Sequence, residues 1–254
     1  MIFKYWELIK HLTMREIKGR YKQSFLGFFW IILNPFFQML IMSFVFSKII
    51  QTGSLGVPYP IYIYAGLLPW TFFSLSLTSS MSVLVENASL IKKIYFPREI
   101  LILATILAKA FDFLLSTVIF FILMIFFQVP LHAVALLFIP IFLIQILFTL
   151  GISLLLSSLN LLYRDIQYLF GLILTLWFYL TPVIYATEFF PENYRWIFKF
   201  NPMSVFINAY REVLLGGHLP NWGSLGVGVI IAFTIFGLSY ILFKKLEGTF
   251  ADIV

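Results

Sequence analysis

Residues 101–128, LILATILAKAFDFLLSTVIFFILMIFFQ, run for the length of a membrane crossing and carry only two charged side chains, Lys109 and Asp112. A helix rises about 1.5 Å per residue, so about 20 apolar residues span a hydrocarbon core of about 30 Å. Further apolar runs occupy roughly 28–50, 61–85, 131–157, 169–187 and 223–243. None shows the ten-residue, period-two alternation of a membrane barrel strand. Charged residues make up 11% of the chain, against about 25% in a soluble domain. The fold class expected is an all-α integral membrane protein with six transmembrane helices. Asn34-Pro35 inside the first run predicts a short helix followed by a shorter span.

The distribution of lysine and arginine orients these spans. Six lie in the N-terminal segment, three in the second connection, one in the fourth and two in the tail, which places twelve of 17 on one side. The first and third connections have none. Both termini are therefore expected in the cytoplasm. No signal peptide is expected, because residues 1–22 are charged throughout. The absence of cysteine excludes thiol chemistry. The net charge of +6 sits on one membrane face, which argues against nucleic acid as a partner.

SLIKKIYFPRE (Ser89 to Glu99) is the densest mid-chain charge cluster and falls on the cytoplasmic side. The bland account is positive-inside anchoring by Lys92 and Lys93. The segment also predicts a short helix over 89–96, stopped by Pro97, that exposes Leu90, Ile91, Ile94, Tyr95 and Phe96 as a docking knob for a soluble partner. In the N-terminal arm, residues 1–27, the positions Lys4, Glu7, His11, Arg15 and Lys18 share one helical face. Ile2, Trp6, Ile9, Leu12 and Ile17 lie towards the other, which predicts an amphipathic helix resting in the membrane interface. Beyond it, Arg20 and Lys22 beside Tyr21 and Phe25 could meet a lipid diphosphate; an anchor to anionic lipid is the plainer alternative.

Catalytic and nucleotide motifs are missing. No glycine is followed by lysine, so there is no Walker A loop, and neither G-x-S-x-G nor H-E-x-x-H occurs. His11, His132 and His218 have no metal-ligand spacing. Asn87-Ala-Ser89 matches a glycosylation sequon on the cytoplasmic side and is read as chance. Lys109 and Asp112 share a face of the third span, either as a functional intramembrane pair or as a self-neutralising one that helps packing. The fifth connection, 188–222, holds two short amphipathic pieces near 192–200 and 203–215, separated by Asn201-Pro202. Both are too short to span. They read as re-entrant half-helices lining a gate on the outer side.

RYKQSFLGFFWIILNPFF (20–37), YAGLLPWTFFSLSL (64–77), SLIKKIYFPREI (89–100), NLLYRDIQYLFGLILTLWFYLTPVIY (160–185), YRWIFKFNPMSVFINAYREVLLGG (194–217) and KKLEGTFADIV (244–254) together span nearly the whole chain. They resemble the type-2 ABC exporter permeases that move lipid-linked polysaccharide such as O-antigen and teichoic acid. Gln23, where relatives often have glycine, is a departure. The resemblance implies an interfacial helix at 1–27 and one six-helix domain over 28–254, with a coupling helix at 88–98 and an outer gate at 188–217. It implies a homodimer in a bacterial or archaeal inner membrane and two copies of a separate ABC ATPase, which uses ATP and Mg while this chain binds no cofactor. The ATPase contacts implied are Leu90, Ile91, Lys92, Lys93, Tyr95, Phe96, Arg98 and Glu99.

A sugar polymer needs a lined path, because a buried polar group without a partner costs roughly 2–7 kcal/mol. Phe36, Phe37, Trp70, Trp177, Phe178, Tyr179 and Tyr185 are the candidate stacking faces, although Trp and Tyr also form ordinary interfacial belts. A membrane enzyme or flippase acting on lipid-linked sugars without an ATPase is the alternative; it should show a carboxylate or histidine cluster at a membrane face. An ion-coupled transporter should show midplane charges on several helices. A channel is not separated from these by composition.

Overall fold

A computed structural model describes residues 5–21, 29–46, 56–187 and 190–250. Among them the chain is helical, with no strand. In order the helices are α1 (Trp6–Tyr21), α2 (Phe29–Phe44), α3 (Tyr59–Glu86), α4 (Ala88–Lys93), α5 (Glu99–Phe126), α6 (Phe138–Leu162), α7 (Ile166–Tyr179), α8 (Trp196–Phe200), α9 (Pro202–Arg211) and α10 (Trp222–Leu246). Four are long and apolar enough to cross a membrane: α3, α5, α6 with its preceding 3₁₀ turn, and α10. Helices α2 and α7 are apolar but shorter, 16 and 14 residues, or about 24 and 21 Å.

The breaking residues explain the element ends. Helix α3 starts behind Pro58 with proline in its first turn, where the missing N–H costs nothing. Asn201 caps α9 by accepting from the Met203 N–H, with Pro202 as first helical residue. Asn221 caps α10 in the same way through the Ser224 N–H. Helix α9 continues as a π turn over Glu212–Gly216 and stops at Gly217, whose φ of 64° suits glycine.

The core forms around α3, which packs on α5, α6, α2 and α9. Helix α10 lies along α6. At Gly151 they come so near that a Cβ would stand 2.8 Å from the Phe236 backbone. Polar side chains inside the bundle join helices: Gln145 donates to the Pro69 carbonyl at 2.8 Å and accepts from the Tyr210 hydroxyl at 2.8 Å. Asn160 donates to the Met81 carbonyl at 2.9 Å.

Several expectations change. Helix α2 runs unbroken through Pro35 instead of dividing at Asn34-Pro35. The fifth apolar run ends as helix at Tyr179, not 187, because Pro182 biases Thr181 away from helical angles. In α1, Ile9 and Leu12 are buried, and the helix packs on α5. That part of its apolar stripe is spent on the protein, while Trp6 stays exposed.

Candidate functional site

At the end of the bundle that holds α4, the segment expected to form a helix over 89–96 is shorter. The helix covers only Ala88–Lys93, and Ile94 is already extended. Ile91 and Phe96 are 3% and 2% exposed, so they belong to the core and not to a docking face. The buried pair anchors the segment from below. Lys92, Lys93, Ile94 and Tyr95 project outward, with Tyr95 at 86% exposure; Leu90 is half-buried.

Arg98 and Glu99, expected to face a partner, are instead engaged within the chain. The Arg98 N–H donates to a Glu247 carboxylate oxygen at 2.9 Å. Lys244 Nζ lies 2.7 Å from Glu99 and 2.8 Å from Glu247. The network joins the start of α5 to the end of α10. Each helix gains from it, since the acid sits at an N-terminus and the lysine at a C-terminus. The Arg98 guanidinium also lies 5.5 Å from the Tyr95 ring centroid, which ties the exposed aromatic to the latch.

The opposite end is held by different chemistry. After α7 the chain turns through Leu180–Tyr185, and no regular structure satisfies this backbone. Its carbonyls are nonetheless all taken. Asn201 donates to the Leu180 carbonyl at 3.3 Å, and the Val183 N–H to that of Thr181 at 2.7 Å. Arg211 donates to the carbonyls of Pro182 and Val183, both at 2.6 Å. Tyr59 and Tyr62 on α3 donate to those of Ile184 and Tyr185 at 2.5 and 3.4 Å. Arg211 is 7% exposed and stacks 3.7 Å above the Tyr62 ring. Gly66 makes room for it: a Cβ there would lie 2.6 Å from the guanidinium. Irregular backbone buried inside a protein needs this kind of complete pairing.

The two pieces expected near 192–200 and 203–215 occur as short helices, α8 and α9, broken at Asn201. Asn201 also accepts from the Trp177 indole at 3.0 Å, fixing the end of α7 to the start of α9. Of the candidate stacking faces, Trp70, Trp177 and Phe178 meet at the α3–α7 contact: Trp70 lies 5.5 Å from Phe178, and Phe73 lies 5.2 Å from Trp177. Tyr179 and Tyr185 border a cavity of about 390 Å³. Phe36 packs on the core and Phe37 is exposed, both on α2. Lys109 and Asp112 line one cavity of about 190 Å³ with Asn34 and Ser116. For the diphosphate contact, Lys22 and Phe25 lie outside the described residues, as do the side chains of Arg20 and Tyr21 at the end of α1. Among the described residues no group of three His, Cys, Asp or Glu could hold a metal.

Residues 7–215, from α1 to the end of the π turn, match the family described as ABC-2 type transporter. The chain belongs to that family. Similarity extends over the whole length of several relatives. An O-antigen export system permease protein RfbA of Klebsiella pneumoniae is 34% identical, covering 98% of this chain and 95% of the relative. One from Myxococcus xanthus is 30% identical, over 99% and 96%. The polysialic acid transport protein KpsM of Escherichia coli is 21% identical, over 94% and 93%. In this ABC-2 transporter subunit, the latch at Lys244 and the clamp at Arg211 are what sequence reading overlooked. Glu99 and Lys244 are 145 residues apart, and no spacing rule connects them. Arg211 had a usable signal: it ends an amphipathic half-helix and follows an apolar run containing proline.

Proposed function

We propose that this chain is the permease subunit of an ATP-driven exporter that moves lipid-linked polysaccharide, O-antigen-like or teichoic-acid-like, out across the inner membrane. The observation carrying this reading is 30% or greater identity, over nearly the full length, to O-antigen export permeases of two genera. Six spans are formed when α2 and α7 cross beside the four long helices, with both termini inside. Helices α8 and α9 are the re-entrant pair, and α1 rests at the inner interface. Two copies pair around one path. Helix α7 supports this arrangement, since Tyr168, Leu172, Leu176 and Tyr179 are all exposed along it and a second copy would shield them.

Energy comes from a separate ABC ATPase, two copies per transporter, which handles ATP and Mg. It docks on Lys92, Lys93, Ile94 and Tyr95, flanked by α1, while Leu90, Ile91, Phe96, Arg98 and Glu99 hold that surface in place. Arg20, Tyr21, Lys22 and Phe25 receive the lipid diphosphate. Aromatic faces then guide the glycan: Trp177, Phe178, Tyr179 and Tyr185 from one protomer, with Phe36 and Phe37 on α2, while the buried Trp70 backs Phe178 from within the core. Stacking on sugar C–H faces demands no fixed hydrogen bond, so the polymer can advance.

Co-purification with an ABC ATPase, followed by nucleotide turnover with and without lipid-linked glycan, tests the proposal. A stable complex whose hydrolysis rises with glycan is expected. Hydrolysis by the isolated chain, or a complex indifferent to every lipid-linked glycan tried, would overturn it.

A further inference from the structure

A cavity of about 210 Å³ opens where α8, α9 and the start of α10 meet. Helix α10 begins there and ends at the Lys244 latch, so the cavity lies at the end of the bundle away from residues 88–99. Its lining differs from that of the apolar groove beside Ile100, Leu150 and Phe236. Arg195, the exposed Lys199, Glu212, Asn208 and Ser224 line it together with Phe198. Phe198 is buried and supplies a fixed apolar floor.

Several of these groups are already committed. Glu212 uses one carboxylate oxygen to accept from the Asn221 N–H at 2.9 Å, and Arg195 donates to the Phe190 carbonyl at 3.0 Å. By contrast, the side chains of Lys199, Asn208 and Ser224 bond to no other described residue. Polar groups gathered around a cavity without protein partners are satisfied by water or by a ligand.

The chemistry narrows the ligand. A cation meets the charges of Arg195 and Lys199, and an inorganic anion drawn to them meets the Glu212 carboxylate in the same lining. An acyl chain would strand the polar groups. A sugar ring suits the set, because each hydroxyl both donates and accepts, meeting a carboxylate that only accepts, an ammonium that only donates, and Asn208 and Ser224 that do both. The volume is below the roughly 300–1,000 Å³ of pockets for larger ligands. It fits one ring, not a chain.

We infer that this cavity is a subsite for a single neutral pyranose ring of the emerging glycan. The inference rests on the exporter reading above and adds a foothold on its outer side. The subsite binds weakly, so that the polymer is retained between advances without being trapped.

The test uses the purified full chain in lipid nanodiscs, with saturation-transfer NMR to methyl α-D-glucopyranoside, methyl α-D-mannopyranoside and glucuronate. Transfer to a neutral glycoside at millimolar concentration is expected. It should weaken at least roughly fivefold in an Asn208→Leu/Ser224→Ala variant, which loses two hydrogen bonds. Thermal unfolding should stay unchanged in that variant, because neither side chain has a partner in the fold. Transfer to no glycoside, or equal transfer in the variant, overturns the subsite. Transfer to glucuronate alone overturns its neutral character. Glycan-stimulated hydrolysis with the ATPase is scored separately: if it persists while NMR is silent, only the subsite falls, and if it is absent while a glycoside binds, the exporter reading falls.

Discussion

The two ends of the bundle are closed by opposite kinds of interaction. At the α4 end, side chains bind side chains: Lys244 sits between Glu99 and Glu247, and the groups retain 14–32% exposure. At the α9 end, side chains bind backbone: Arg211, Asn201, Tyr59 and Tyr62 take the carbonyls of Leu180–Tyr185. Water can replace a partner in a half-exposed ion pair, so the first closure can rearrange at modest cost. A buried carbonyl has no such substitute. The contrast makes the end that bears the exposed Tyr95 the more hydrated closure and the end that bears α8 and α9 the more fully desolvated one.

Of the two closures, the larger effect should come from Arg211→Met. It keeps an unbranched stem but leaves the carbonyls of Pro182 and Val183 without donors. With charge-assisted bonds worth about 1.5–3 kcal/mol each, a loss of about 2–4 kcal/mol is expected, partly offset by no longer burying a charge. Thermal or denaturant unfolding in detergent measures it. A loss below that of the inner-end variant described next would invert the comparison.

Lys244→Met should cost less, about 1 kcal/mol, because the pairs it breaks are partly hydrated. Its cost should also shrink in high salt, whereas that of Arg211→Met should not. Equal salt sensitivity at the two ends would remove the distinction. The substitution also frees Glu247 and with it the cap on the Arg98 N–H.

Much of the bundle was legible because apolar length is a one-dimensional property. The runs at 61–85, 101–128 and 223–243 became Tyr59–Glu86, Glu99–Phe126 and Trp222–Leu246. The break at Asn201-Pro202 was legible because a cap followed by proline is local chemistry. Burial was not. Ile91 and Phe96 read as exposed beside Lys92 and Arg98, yet they point inward, since a short helix facing a larger body must bury one side. The shift of the fourth helix to Phe138–Leu162 came from a 3₁₀ turn over Ala133–Leu137 that hydropathy cannot separate from helix. The clamp at Arg211 was hidden for a further reason. Counting cations by connection treats each as solvated, and this one is buried by partners drawn from α3 and from the turn after α7.

The smallest effect on stability, and the sharpest test of the α4 end, is Tyr95→Ala. The ring is 86% exposed, and among the described residues it meets the Arg98 guanidinium 5.5 Å from its centroid. Unfolding should change by less than about 0.5 kcal/mol, the range of ordinary surface substitutions. Capture of an ABC ATPase should nevertheless drop, because an exposed aromatic beside Lys92 and Lys93 has the composition of an interface anchor. Phe96→Ala supplies the contrast one residue away: at 2% exposure it should cost about 3–5 kcal/mol of stability, so any loss of docking there follows from a damaged core. Unaltered ATPase capture in Tyr95→Ala would move the docking surface elsewhere, and a large stability loss would mean that the ring is part of the latch and not of the contact.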